Sequence, residues 1–443
     1  MTSSTEKHEW TTHADAFSKV CEFVSSVTQR NTFAAQMSER MREETGTRLI
    51  DWVDRIGCSN PAAFEAVGFE KTSRGAEEIW QHPLAMLPIV FETPQDLLAI
   101  HVDSVCQFLV AHRLDSRTEI VGEPRGDVRR ACVSAENDCE FHVVERHGTL
   151  SWNPGPTGSR AAINKHSERF RLRQRDYADD VAAFDATEEL FKKAANDVGT
   201  NRACEMFFSA ERSYWENRNH AARVQRARQG RLGLGWANQD HHTYRSSRAA
   251  FPQLIRVLET MGFQCRERFY AGADAGWGAQ VLEQPDCRIV IFADVDLSAE
   301  EITGDFAHSE LPPQAEPGTV GLWCALHGEA FLQAGMHHLE CQFDFDAARE
   351  QLAAAGVETM SPFTDFDHLR QAFTVGERWQ VPEPRLEKAI ADGFITKADA
   401  ERFRADGVIG SHLEILERND GYKGFNKTGI SDIILETNPR TAT

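Results

Sequence analysis

His241, Arg245, His338, Glu340, His412 and Glu414 are the side chains whose types and spacing could do chemistry. In an extended segment, residues two apart share a face. In "DHHTYRSSR", residues 240–248, His241, Thr243 and Arg245 therefore face one way. His242, Tyr244 and Ser246 face the other. "MHHLECQF" sets His338, Glu340 and Gln342 against His337, Leu339 and Cys341, and "SHLEILERN" aligns His412, Glu414, Leu416 and Arg418. One histidine from each of the first two segments and a carboxylate from the third would supply two neutral imidazoles and one anionic oxygen. That set leaves coordination positions open and suits Fe(II) or Mn(II), and it could hold a catalytic zinc.

Arg245 lies four residues beyond His241, about 13 Å along a strand at 3.3 Å per residue. Its guanidinium could reach back to hold a carboxylate bidentately while the rest of that molecule chelates the metal. Glu340, Gln342 and His412 are expected behind the metal or against the substrate. His242 and His337 are expected on the outer faces, and a one-residue slip in register would exchange either with its neighbour. Taken singly, each histidine reads as a surface or core-edge side chain and Glu414 as a salt-bridged strand carboxylate. The histidines' matched places in two repeats, with the carboxylate on one of the last strands, reverse that balance.

The repeat comes from the elements around them. "DHHTYRS" leads into an amphipathic helix, "RAAFPQLIRVLETMGF", and "MHHLECQ" leads into another, "DFDAAREQLAAAGV". Each ends at a glycine in a C-cap position, Gly262 or Gly356, followed by an apolar residue. The first copy continues with the strand-like "QCRERFYA", "GAQVLEQ" and "RIVIFADVDL"; the chain closes on "SHLEILERN" and "ISDIILET". A duplicated β-α-β-β-β unit is expected, interrupted by a charged helical insert near 383–408.

Upstream, residues 14–57 follow a helical pattern, "TPQDLLAIHVDSVCQFLVAHRL" predicts a helix capped at Thr93, and "MLPIVFE" and "EFHVVERHG" predict strands. "SWNPGPTGSR" is a breaker cluster and the best internal boundary, and polar helices follow at about 177–197 and 200–228. The expected fold is α+β: a mixed α/β domain over 1–150, a helical connector over 151–234, and paired βαβββ modules curled around a metal cavity over 235–443. The N-terminal half could be a lid, an oligomerisation domain or a degenerate copy of the other half. Its histidines in "HVVERHG" are expected at the surface.

The chain has 443 residues, 41% hydrophobic and 26% charged, with a net charge of -20. Such acidity argues against nucleic acid as a partner. The basic run "HSERFRLRQRD" is expected to be a solvated helix face. "MTSSTEKHEW" lacks the apolar core of a secretory signal, and no apolar run approaches the roughly 18 residues of a membrane span. The 10 cysteines show no CxxC spacing. Mostly buried free thiols in a reducing cytoplasm are the simplest expectation. "GADAGWGAQ" opens no helix as a phosphate-binding turn would, and GxSxG, Walker A, HExxH and EF-hand patterns are absent.

In this arrangement the C-terminal half resembles the vicinal oxygen chelate superfamily, which includes glyoxalases, extradiol dioxygenases and 4-hydroxyphenylpyruvate dioxygenase. "DHHTYRSSRAAFPQLIRVLETMGFQ" resembles the first ligand strand and helix of the 2-oxoadipate dioxygenase/decarboxylase (hydroxyglutarate synthase) family. That resemblance implies a metal ligand at His241 and a carboxylate anchor at Arg245. "MHHLECQFDFDAA" is similar to the second ligand strand, implying His338, and "LEILER" to the strand supplying the glutamate ligand, implying Glu414. "FNKTGISDIIL" is similar to a substrate-contacting turn, implying Phe425 and Asn426. The close succession "LEILERNDGYKGFNKTGISDIILE" is similar instead to the end of 4-hydroxyphenylpyruvate dioxygenase. The likeness runs from about residue 235 to the end; residues 1–230 match neither family.

The resemblance implies a mononuclear non-haem Fe(II) dioxygenase with O₂ as cosubstrate. It would oxidatively decarboxylate and hydroxylate a small 2-oxo acid or amino-acid-like carboxylate. The expected set is His241, His338 and Glu414 on the metal, with Arg245, Glu340 and Asn426 in catalytic or substrate-contacting roles. Mn, Zn and Ni are the alternative metals. A redox-neutral lyase or isomerase of glyoxalase type, and a non-catalytic binding protein on the same fold, stay open. A small carboxylate is the expected partner, with homo-oligomerisation left open.

Overall fold

The computed structural model describes residues 10–74, 77–153, 155, 158–426 and 439–440. Its C-terminal half is built on a nine-stranded sheet. The strand Gln239–Arg245 leads into the helix Phe251–Thr260, then the strands Gln264–Tyr270, Trp277–Gln284 and Ile289–Asp296. The last of these returns parallel to the first, pairing Val290 with His241 and Asp294 with Arg245. The plan then repeats: strand His338–Gln342, helix Phe345–Ala354, strands Thr364–Phe366 and Leu369–Phe373, and a long strand Val408–Arg418 parallel to His338–Gln342. The two opening strands pair antiparallel and join the copies into one sheet. Before the long strand come a short strand, Glu377–Trp379, and the helices Glu383–Ala391 and Lys397–Asp406.

Local chemistry explains the repeat. In the first helix Phe251, Leu254, Ile255, Val257 and Leu258 are buried at helical spacing, with a proline in the first turn where its missing N–H costs nothing. In the second, the Asp344 side chain accepts from Ala347 N as an N-cap. Gly262 (φ +90°) and Gly356 (φ +82°) end the two helices in the left-handed region, as a C-cap glycine does. Ile289–Asp296 is buried along its whole length, because helices cover one face of the sheet and the cavity walls the other.

The N-terminal half follows the same plan in a seven-stranded sheet. Val53–Cys58 is followed by a 3₁₀ turn and the strands Glu70–Arg74, Glu77–Gln81 and Ile89–Glu92, the last again parallel to the first. Asp96–His101, the helix Val105–Ala111 and the strands Val128–Glu136 and Cys139–Arg146 form a shortened second copy. Register makes the correspondence residue by residue. Ala99 pairs with both Arg55 and His142; Glu340 pairs with both His241 and Glu414. Each opening strand carries a one-residue bulge, at Asp54 and at Asp240, and each bulge aspartate is ion-paired to an arginine, Arg146 or Arg418, at the matching place. Of the three expectations for this half, the degenerate copy is the one that its strand order and register match.

Several expectations are corrected. The predicted helix from Thr93 is a strand, Asp96–His101, and only then a short helix capped by Ser104; "DLLAI" is central to its sheet, and pairing on both sides overrides helical periodicity. The helical pattern of 14–57 ends before Val53, where the first strand begins. The helix expected over 200–228 breaks into Thr200–Glu216 and His220–Arg231, with Asn219 capping the second. "HSERFRLRQRD" is solvated only in part: Glu168, Arg169 and Arg171 are exposed, but His166 and Phe170 are buried, and Arg173 and Arg175 turn inward to Glu211. His142 of "HVVERHG" is buried as well. The expected strand "ISDIILET" lies outside the described residues. All ten cysteines are free, six of them buried. Among the described residues no helix is long and apolar enough to cross a membrane.

Candidate metal centre

The three expected ligands converge. His241, His338 and Glu414 are buried, and one donor atom of each lies within 4.8 Å of the other two. Glu414 Oε2 is 3.0 Å from His338 Nε2 and 3.9 Å from His241 Nε2. Three donors each about 2.1 Å from one ion sit at about these separations, so the residues fit a mononuclear centre. The other imidazole nitrogen of His241, Nδ1, is 2.8 Å from Glu340 Oε1 and 3.4 Å from Asp240 Oδ1. A proton on Nδ1 facing carboxylates leaves the Nε2 lone pair for a metal, the usual outer support of a ligating histidine.

Backbone irregularity builds that support. Strict alternation would send Asp240 away from His241. The bulge at Asp240 makes it an extra residue, unpaired with its antiparallel neighbour, and its carboxylate turns back beside His241. Arg418 holds it with Nε and Nη2 at 2.9 and 3.0 Å. Arg418 also donates to Gly424 O and stacks on Phe425, whose ring covers His241 at 5.3 Å. Gln371 Nε2 bridges the two glutamates, donating to Glu340 at 2.9 Å and Glu414 at 3.1 Å.

Charge around the centre is arranged for a cation. Burial opposes protonation of His241, but Glu340, Asp240 and Glu414 outweigh it and raise the imidazole to about 10. Burial raises Glu340, and repulsion from Glu414 adds to it. Burial also raises Glu414 and lowers His338. Burial works against the charge on Asp240, yet Arg418 holds its carboxylate well below the usual range. Among the described residues His338 Nδ1 has no hydrogen-bond partner.

The donors open on a cavity of about 90 Å³ lined by Thr243, Arg245, Asp294, His337, His412 and several aromatic rings. Arg245 is on the expected face, 5% exposed, over the ring of Trp323. Asn426 also lines the cavity and donates to Thr364 Oγ1 at 2.9 Å; most of the "FNKTGISDIIL" segment lies outside the described residues. His412 shares the face of Glu414 and donates from Nδ1 to Thr374 O, leaving Nε2 toward the cavity; burial lowers it to about 3.

His337 differs from expectation, and Glu340 takes one of its two expected places. Glu340 does not line the cavity. It is buried behind His241 and Glu414, in register with both, with Oε1 facing His241 Nδ1. His337 does line it. It precedes the strand, after a turn at Gly335 (φ +77°), so alternation does not govern it, and its Nδ1 donates to Gly410 O. His242 does take the outer face, buried against Phe208 and Arg212. Asp240, Gln371 and Asp294 are not among the expected site residues. Only Asp294 left a signal, a carboxylate inside the apolar run "RIVIFADVDL".

In the N-terminal half the equivalent positions hold Arg55, Leu97 and His142. Two of the three donors are gone, and Trp152 fills the space, stacked under Arg55 at 5.2 Å and 5.6 Å from His142.

No protein-family model and no curated protein sequence matches the chain. Solved structures do show likeness. A triple mutant of 4-hydroxymandelate synthase from Streptomyces coelicolor aligns over 88% of this chain and 97% of its own, at 12% identity and a TM-score of 0.28. Methylmalonyl-CoA epimerase from Mycobacterium tuberculosis aligns over 41% of this chain and 88% of its own, at 15% identity and a TM-score of 0.24. A Streptomyces coelicolor epimerase in complex with 2-nitronate-propionyl-CoA gives 41%, 96%, 15% and 0.21 on the same measures. At such scores these likenesses carry no argument, and the paired-module description rests on strand order and register.

Proposed function

We propose that the protein is a mononuclear non-haem Fe(II) dioxygenase of the vicinal oxygen chelate type, acting on a small 2-oxo acid or amino-acid-like carboxylate. The observation that carries it is the convergence of His241 Nε2, His338 Nε2 and Glu414 Oε2 at the wall of a cavity that also contains a buried arginine. Two imidazoles and one carboxylate with open positions match Fe(II) better than a closed structural zinc. Iron held there would supply O₂ activation beside the substrate.

The chain's own residues do the rest. Asp240 and Glu340 orient His241, and Gln371 fixes both glutamates. Arg245 holds a carboxylate, so one end of the molecule is fixed before the other reacts. Phe269, Trp277, Phe292, Phe363, Phe373 and Phe425 wall the cavity and keep water from it. For a 2-oxo acid the balance is loss of CO₂, with one oxygen atom entering the new carboxylate and the other hydroxylating the same molecule; no separate 2-oxoglutarate is consumed. The test is anaerobic reconstitution with Fe(II), then an O₂-uptake screen over small 2-oxo and amino acids. Substrate-dependent uptake is expected. Metal binding with turnover but no O₂ consumption would transfer the site to a glyoxalase-type lyase or isomerase.

A further inference from the structure

We propose that the end of the cavity away from the metal donors is a head-group site for an α-amino acid, with Arg245 taking the carboxylate and Asp294 the ammonium. The inference rests on reading this cavity as the substrate site and deepens that reading by naming the substrate class.

Arg245 and Asp294 are register partners on adjacent parallel strands, and both line the cavity. They are 5% and 4% exposed. Among the described residues, Arg245 Nε and Nη1 and Asp294 Oδ1 have no hydrogen-bond partner, although the two charges attract. Thr243 Oγ1, one strand repeat nearer His241, is likewise buried without a partner. Opposite charges this deep normally pair by hydrogen bonds, since a buried polar group left unsatisfied is costly. Here they stand side by side with unused polar atoms at a cavity. A ligand with a carboxylate and an ammonium on one carbon satisfies both at once. A simple carboxylate satisfies Arg245 alone and brings a second anion against Asp294, whose carboxyl burial already raises to about 7 and which must then take up a proton, so Asp294 works as a discriminating group. The substrate's other end points toward His241, His338 and Glu414.

The test is calorimetric titration of the full chain, metal-free and with one equivalent of Zn(II), against the standard L-amino acids. For each amino acid that binds, its 2-hydroxy and deaminated counterparts are titrated as well. At least one amino acid is expected to bind ten-fold or more tightly than both counterparts. Asp294→Asn is expected to bring all three within about threefold, and Arg245→Ala to abolish binding. Equal binding of an amino acid and its deaminated acid would overturn the assignment, as would an unchanged preference in Asp294→Asn or no amino acid binding at all. If Asp294→Asn does not fold, the wild-type ratios decide alone. Iron content of the same preparation separates the two readings: an amino-acid preference in protein that takes up no iron keeps the head-group site and removes the dioxygenase.

Discussion

Glu340 shows how much of the proposed metal site lies outside its ligands. It touches no cavity, yet its carboxylate faces His241 Nδ1 and shares Gln371 with Glu414. Glu340→Gln keeps the volume and removes the charge. Removing such support typically weakens metal binding 10–100-fold; that loss is expected in a competitive Co(II) titration, with unchanged circular dichroism. Asp240→Asn should behave differently, because it strips a buried arginine of its partner. Breaking such a pair costs about 3–5 kcal/mol. Urea denaturation should show that loss of stability along with weaker metal binding, and a stability within 1 kcal/mol of wild type would contradict the role given to the Asp240–Arg418 pair.

At the scale of elements, the strand that carries His241 is tied down just past Arg245. Ser246 Oγ and Ser247 N donate to Glu329, which opens the turn Ala330–Ala334. Burial raises Glu329 from its ordinary 4.5 to about 7. Between those values the folded state keeps a proton that the unfolded chain has released. Its contribution to stability therefore falls as pH rises through that window and stays lost above it. At about 1.4 kcal/mol per unit the loss is roughly 3 kcal/mol. Stability measured by urea between about pH 4.5 and 7.5 should fall less steeply in Glu329→Gln than in wild type; equal slopes would contradict this.

Element scale is also where the sequence was most legible. Alternation put His241 with Arg245, and the duplicated order of features singled out His338 and Glu414, because strand period and helix caps survive in both copies. Asp240 was hidden because a bulge breaks alternation where it matters. His337 sits outside its strand, where alternation has no force. Gln371 meets the site only through sheet order, which sequence spacing does not encode, and Asp294 shows in the sequence only as a carboxylate inside an apolar run.

Across the whole molecule two similar halves recur, and among the described residues the two-histidine, one-glutamate set is found in the C-terminal one. Nothing in the N-terminal sequence announces the duplication, since Arg55 and Leu97 stand where histidines stand in the other half. Only pairing register reveals it. Trp152, from the breaker cluster "SWNPGPTGSR", fills the unused cleft and is 8% exposed, with Arg55 and Arg130 stacked on it. Trp152→Ala should cost about 3–5 kcal/mol as a large-to-small core change. It should leave metal stoichiometry at one per chain, because emptying the cleft restores no donors. A second equivalent in that variant would contradict the account of this half.

The central claim is that His241, His338 and Glu414 hold a single ion. The most direct measurement is iron content per chain after anaerobic loading and desalting, in wild type and in Glu414→Gln. One equivalent is expected in wild type and a small fraction of that in the variant, with both proteins folded. No iron above background in wild type, or a full equivalent retained in Glu414→Gln, would contradict it.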